Sequence, residues 1–181
     1  MGATFFTIGH SNRTIDDFLA LLREADIQGV ADIRKIPKSR TNPQFNRDTL
    51  PGSLAARGIA YEHIAALGGR RGREKGVAQE VNRLWTNGSF HNYADYALSQ
   101  AFADGLAHLR EEGHQRRTAM MCSEAVWWRC HRRIVADHLI AHGEAVFHIM
   151  GKGRLEAARL TPGAVARPDG SVVYPAMAEI V

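Results

Sequence analysis

Apolar and polar positions alternate along this chain in two rhythms, one of period two and one near 3.6 residues. Thr4-Phe5-Phe6-Thr7-Ile8 is a short β-rich run, ended by Gly9-His10-Ser11-Asn12. Thr14-Ile15-Asp16-Asp17 then reads as a capping-box variant, with Asp in the third helical position. Ile15, Phe18, Leu19 and Leu22 recur at helical spacing, which predicts a helix over Ile15–Ala25. Gly29–Arg34 is a second strand. This β-α-β opening implies parallel strands joined by a right-handed crossover.

The same reading extends along the chain. A short helix is predicted over Asp48–Arg57, closed by Gly58, and a strand over Ile59–Ile64. Val77–Trp85 reads as a short helix broken by Asn87-Gly88-Ser89. Asn92 then caps a helix in which Tyr93, Tyr96, Ala97, Phe102, Leu106 and Leu109 run towards Glu112. Thr118–Cys122 is a buried strand. Ala125–His142, eighteen residues without Gly or Pro, reads as one helix capped by Ser123. Gly143 ends it, and Ala145–Ile149 is a fifth strand. Beyond Gly151, Pro168-Asp169-Gly170-Ser171 is a turn between Ala164–Ala166 and Val172–Tyr174. The expected architecture is α/β: a mostly parallel central sheet with helices on both faces, in a single domain over residues 1–181. Residues 151–181 form a C-terminal extension or hairpin.

Composition narrows the class. The length, 181 residues, suits one domain, and 45% hydrophobic with 23% charged residues is ordinary for a globular chain. No apolar run approaches the roughly 20 residues that span a bilayer, and no charged-then-apolar leader precedes the first strand. Two cysteines exclude a disulfide framework. A cytoplasmic location without a membrane partner is therefore expected, with both cysteines as thiols. The formal charge of +4 is concentrated in three clusters: Arg34 to Arg47, Arg70 to Lys75, and Arg129 with Arg132 and Arg133. They point to an anionic small molecule or nucleic acid, with phosphate as the first expectation. Nothing in the sequence sets the oligomeric state.

Ligands of open parallel sheets bind beyond the C-terminal ends of the strands. Those ends carry His10 and Ser11, then Arg34, then Tyr61 to His63, then Cys122 and Glu124. Two irregular segments flank them, Ile36–Asn46 with two prolines and the glycine-arginine loop Leu67–Arg73. On a helix from Ala125, 100° per residue places Val126, Trp127, Cys130, His131, Ile134, Val135 and His138 on a face with Glu124. Arg129 and Arg133 would point away and Arg132 would lie near the border. Catalytic candidates are thus His10, Cys122, Glu124 and His131, and anion or substrate contacts are Ser11, Arg34, Arg40, Tyr61 and Arg132. Glu124 and His131 are expected to be partly buried and tied to Arg34 or Arg132, because an unpaired carboxylate on a buried face is costly.

Other chemistries fit less well. C-x-E-x5-C-H is not a standard zinc spacing, so no metal is predicted. There is no Walker or G-x-G-x-x-G pattern, and no cofactor is named by any motif. Position 128 is Trp, so Cys122 does not head a C-x5-R phosphatase loop; it is a nucleophile or a pocket wall. A redox pairing of Cys122 with Cys130 across a strand–helix turn is not favoured. Trp127 and Trp128 are read as core, or one as a stacking surface for a planar ligand.

Several stretches resemble the Domain of Unknown Function 488 family. They are Thr7-Ile8-Gly9-His10-Ser11, Asp32-Ile33-Arg34 with Pro37-Lys38-Ser39-Arg40, Gly58-Ile59 with Tyr61, Leu67-Gly68-Gly69, and Cys122-Ser123-Glu124 with Cys130-His131-Arg132. The resemblance covers residues 4–149 and implies a bacterial-type α/β domain with a shared polar site, without a reaction. The functional expectation is an enzyme acting on a phosphate-bearing ligand, nucleotide or nucleic acid. The alternative is a non-catalytic nucleic-acid-binding or regulatory module.

Overall fold

The computed structural model describes residues 2–176. Six strands form one sheet: β1 (Thr4–Gly9), β2 (Gly29–Asp32), β3 (Ala60–His63), β4 (Thr118–Cys122), β5 (Ala145–Gly151) and β6 (Arg154–Ala157). Their order is β3-β2-β4-β1-β5-β6. The first five are parallel and β6 returns antiparallel on β5. The helices are α1 (Ile15–Glu24), α2 (Leu50–Ala55), α3 (Gly88–Tyr96), α4 (Gln100–Gln115) and α5 (Arg132–Ala141). Among the described residues no helix is long and apolar enough to cross a membrane.

Successive strand residues face opposite sides of the sheet, and both sides are packed. Phe5, Ala31, Met120 and Cys122 join α3, α4 and α5 in one core, whereas Phe6, Ile8, Val30, Ala119 and Met121 join α1 and α2 in the other. Burial on both faces is why β1, β2 and β4 read as continuous apolar runs. The structure is therefore the expected α/β domain with helices on both faces of a mostly parallel sheet.

Local differences have local causes. The Thr14 hydroxyl accepts the Asp17 N–H at 3.1 Å and starts α1 as expected. The single helix expected from Asn92 to Glu112 is two. Asn87 caps α3 through the Ser89 and Phe90 N–H groups, and Ser99 restarts the chain as α4 by accepting the Phe102 N–H. Only a 3-10 turn at Gln79–Asn82 occurs where a helix was predicted over Val77–Trp85. Strand β6 lies outside the sequence expectation: all four of its residues are exposed, and the polar–apolar alternation of Arg154-Leu155-Glu156-Ala157 runs over only four positions. The late hairpin does form, as β7 (Val165–Ala166) and β8 (Val172–Val173).

That hairpin is anchored by buried polar bonds. The Tyr174 hydroxyl donates to Asp137 Oδ2 at 2.7 Å, the Thr161 N–H donates to Asp137 Oδ1 at 2.9 Å, and the Tyr174 N–H donates to Asn82 at 2.9 Å. Burial raises the Asp137 carboxyl above its ordinary range, and the bonds from Tyr174 and Thr161 work against that rise. Tyr174→Phe leaves a buried carboxylate short of one donor and should cost about 1–3 kcal/mol. Urea unfolding at neutral pH measures it, and a change near zero would mean that water replaces the hydroxyl.

The core also holds neutral histidines. His138 on α5 lies edge-on to Phe102 with Nε2 unpartnered, and burial lowers its pKa from 6.5 to about 3. Its folded pKa lies below its unfolded one, so its contribution is whole above pH 6.5 and is lost as pH falls towards 3. Between those limits the unfolded chain binds the extra proton, a slope of about 1.4 kcal/mol per pH unit. His138→Phe should flatten the acid limb of a stability–pH curve by that amount. An unaltered slope would show that the folded protein protonates His138 as easily as the unfolded chain does.

Candidate functional site

The C-terminal ends of β1, β2 and β4 open into a cleft of about 930 Å³. His10, Ser11, Arg34, Cys122, Glu124 and His131 all line it. Two other candidates stand apart: Arg40 and Tyr61 are not on its wall. Arg132 is fully buried, with its guanidinium on Cys122 at the floor of the cleft.

One half of the site is organised by Asp32, which is completely buried at the end of β2. Its Oδ1 accepts the Arg34 backbone N–H at 3.1 Å and Nε–H at 2.9 Å, and its Oδ2 accepts Arg34 Nη2 at 2.7 Å. The Tyr61 hydroxyl donates to the same Oδ2 at 2.6 Å. Arg34 also reaches the Phe45 carbonyl at 2.7 Å, which pins the long loop after β2. The Arg34 charge is thus already matched by Asp32, while the residue still lines the cleft. Tyr61, with its pKa raised by burial and then by Asp32, supports the clamp.

His10 belongs to the same network. Its Nδ1 lies 2.8 Å from the Ser11 carbonyl and its Nε2 3.3 Å from Arg34 Nη1. A carbonyl only accepts and a guanidinium only donates, so Nδ1 carries the proton and Nε2 is bare. The ring stacks on Phe45 at 4.4 Å. Burial, with the Arg34 charge, holds its pKa down at about 4 against the pull of the Ser11 bond. Both nitrogens are engaged, so His10 acts as a spacer between two loops.

The other half departs from its sequence reading. No helix begins at Ala125. Residues 123–131 form an irregular loop with one 3-10 turn, Trp127–Arg129, and α5 starts at Arg132. The reason is Arg132, whose side chain turns back along the helix, as side chains do. It donates to the Glu124 carbonyl at 2.6 Å and the Ala125 carbonyl at 3.1 Å, and these bonds take the place of a helical ladder. Gly9 permits this closeness, since a methyl group there would overlap the Glu124 carbonyl and crowd Arg132 Nη1. Ser123 therefore caps nothing. Glu124 is exposed on the cleft wall with no arginine partner among the described residues, contrary to the expected ion pair.

The loop brings two sulfurs together. Cys122 Sγ and Cys130 Sγ lie 2.6 Å apart as free thiols, and Arg132 Nη1 donates to Cys122 Sγ at 2.8 Å. The Arg132 backbone N–H points to Cys130 Sγ at 3.4 Å. Burial disfavours charge on both. On Cys130 the bond from Cys122 and the Arg132 charge prevail, and its pKa falls below the ordinary thiol value. Cys122 is pushed well above that value by burial and by the neighbouring sulfur. The two sulfurs are thus pushed in opposite directions, and Cys130 is the more readily ionised. His131 bonds the Ile33 carbonyl through Nε2–H at 2.8 Å, leaving Nδ1 as an acceptor 3.6 Å from Cys130 Sγ. Burial lowers the His131 pKa, so the ring stays neutral. A methyl group on Gly69 would crowd this ring, which accounts for glycine in the loop after β3.

Among the described residues, the cations on the rim that no carboxylate pairs with are Lys35, Lys38, Arg70 and Arg129. Glu124 is the single carboxylate among the described lining residues. Sequence reasoning placed Lys38, Arg70 and Arg129 in basic clusters without setting them at the site. It missed Asp32 as the organising acid, although an acid closing an otherwise apolar strand was the visible signal.

Comparison with known families adds one finding. The description Domain of unknown function DUF488 matches residues 14–139. No curated protein and no solved structure matches the chain. The matched span includes Asp32, Arg34, Cys122, Glu124, Cys130, His131 and Arg132, and begins just after His10 and Ser11. Because it takes in well over half of the chain, this protein belongs to the DUF488 family.

Proposed function

We propose that the protein is an enzyme acting on a phosphate-bearing ligand, with the Cys122–Cys130 pair as its thiolate centre. One observation carries the reading. Arg132 is fully buried at the start of a helix, and among the described residues no carboxylate pairs with it. A buried cation without a counter-ion is costly, and a helix N-terminus adds to that cost. The anion within its reach is a thiolate shared by the two sulfurs. An arginine-stabilised thiolate at the floor of an open cleft is an activated nucleophile.

The roles divide accordingly. Lys38, Arg70 and Arg129 bind the phosphate on the rim, where their charges have no internal partner. Cys130, which lines the cleft and is the more readily ionised of the pair, faces the ligand. Glu124, exposed and unpaired, handles protons of water or leaving group. Arg34 and His10 hold the loops that shape the cleft.

Glu124→Gln tests this division. Removing the sole lining carboxylate should tighten binding of inorganic phosphate at low salt, by up to about 1 kcal/mol, or roughly fivefold. The same variant should lose phosphate release from a panel of phosphate monoesters and nucleotides that the unaltered protein turns over. Weaker phosphate binding by the variant would remove Glu124 from the cleft's electrostatics. Absence of turnover, together with oligonucleotide binding that falls steeply with salt, would favour the non-catalytic nucleic-acid module, which the excess of cations on the rim also suits.

A further inference from the structure

We propose that Cys122 and Cys130 form a modification site for small hydroperoxides, at which Cys130 is oxidised first and Cys122 then closes a disulfide. The inference rests on the thiolate reading above and adds a second fate for that thiolate. Three features of the geometry support it. The sulfurs are in contact although they come from different segments, β4 and the loop before α5. Both cysteines line the cleft wall, so a small oxidant meets the pair there, and Cys130 is the more readily ionised of the two. Both sulfurs are almost completely buried, at 2% and 5% exposure, which keeps a bulky disulfide oxidant away.

The chemistry balances without a cofactor. The Cys130 thiolate attacks one oxygen of the hydroperoxide, forming an S–O bond as the O–O bond breaks. The departing alkoxide or hydroxide takes the Cys122 proton. The Cys122 thiolate then attacks the Cys130 sulfur, the S–S bond forms, and hydroxide leaves and is protonated to water. The thiolate–thiol pair loses two electrons and its one proton, the leaving hydroxide takes a second proton from solvent, and the peroxide is reduced to an alcohol and water, or to two waters from hydrogen peroxide.

Oxidation also has a structural consequence that ordinary surface thiols would not produce. A disulfide carries no charge, so Arg132 loses the anion that offsets it and keeps only the carbonyls of Glu124 and Ala125. An unpaired buried guanidinium is unfavourable. The loop that packs over it, which carries Trp127 and Trp128, is therefore the segment that must shift to let water or the rim reach Arg132. Closing the pair would remove the nucleophile and loosen the cleft wall together, and reduction would restore both.

The test uses the full reduced chain and a slight excess of hydrogen peroxide. Trypsin cuts after Arg129, between the two cysteines, so the oxidised protein should yield peptide Thr118–Arg129 joined to Cys130–Arg132. Tryptophan emission should shift with the same time course, and dithiothreitol should reverse both. Oxidised glutathione at equal concentration should react far more slowly. In Cys122→Ser the reaction should stop at a Cys130 sulfenic acid that dimedone traps, whereas Cys130→Ser should give no Cys122 adduct under the same conditions. Unjoined peptides in the unaltered chain, direct over-oxidation, or equal reaction with oxidised glutathione would each overturn the proposal, and these peptide results stand even if a serine variant fails to fold. The pH dependence of iodoacetamide labelling measures the shared premise separately. Joined peptides with no turnover of any phosphate ester would retain this site and reject the phosphate reading. An ordinary thiol titration would reject the thiolate on which both depend.

Discussion

The guanidinium of Arg132 sets more of this structure than any other single group. It is buried at the first residue of α5, and its donors reach two loop carbonyls and the Cys122 sulfur. Each bond constrains a different part of the fold. The carbonyl bonds keep residues 123–131 out of the helix, and Gly9 on the neighbouring strand leaves them room. The sulfur bond brings charge to the end of β4. Removing the side chain would leave the two carbonyls without their donor and the thiol pair without its cation. Packing, loop shape and reactivity at this end of the sheet therefore depend on one residue.

A second arginine two strands away solves the same burial problem differently. Arg34 has its own carboxylate, Asp32, and the pair is completed by Tyr61 and the Phe45 carbonyl. With both charges matched, the pair forms a clamp, and the neighbouring His10 stays neutral because burial and the Arg34 charge outweigh the Ser11 bond and the Asp32 charge. Arg132 lacks a carboxylate, and its charge is met by groups that must ionise to meet it. The contrast explains why two buried arginines at one sheet edge have different chemical consequences.

Much of this was legible in the sequence where the signal was local. Thr14 with Asp17 announced α1, and the apolar runs at Phe5–Ile8 and Ala119–Cys122 announced strands buried on both faces. The ends of those strands placed His10, Arg34, Cys122 and Glu124 together because parallel strands share an exit edge. What could not be read was set by contacts distant in sequence. Eighteen residues without Gly or Pro suit a helix, and propensity alone favours one from Ala125. Tertiary bonds from Arg132 override it, which moves Cys130 from a helix face to the Cys122 sulfur and leaves Glu124 in solvent. Asp32 looked like a strand-end acid because its three partners lie on Arg34, Tyr61 and the backbone. β6 carried a polar–apolar alternation over only four residues, and as an exposed edge strand it buries neither face.

The opposite shifts of the two sulfurs follow from these constraints. Two thiolates side by side in a dry site would repel each other strongly, and two neutral thiols would leave Arg132 without an anion. The intermediate state, one charge on the pair, satisfies the guanidinium and avoids the repulsion. Cys130 is the more readily ionised of the two, with the backbone N–H of Arg132 pointing to its sulfur. Cys122 sits under the guanidinium and is the harder of the two to ionise. Both residues line the cleft, so the asymmetry between the sulfurs is electrostatic rather than positional.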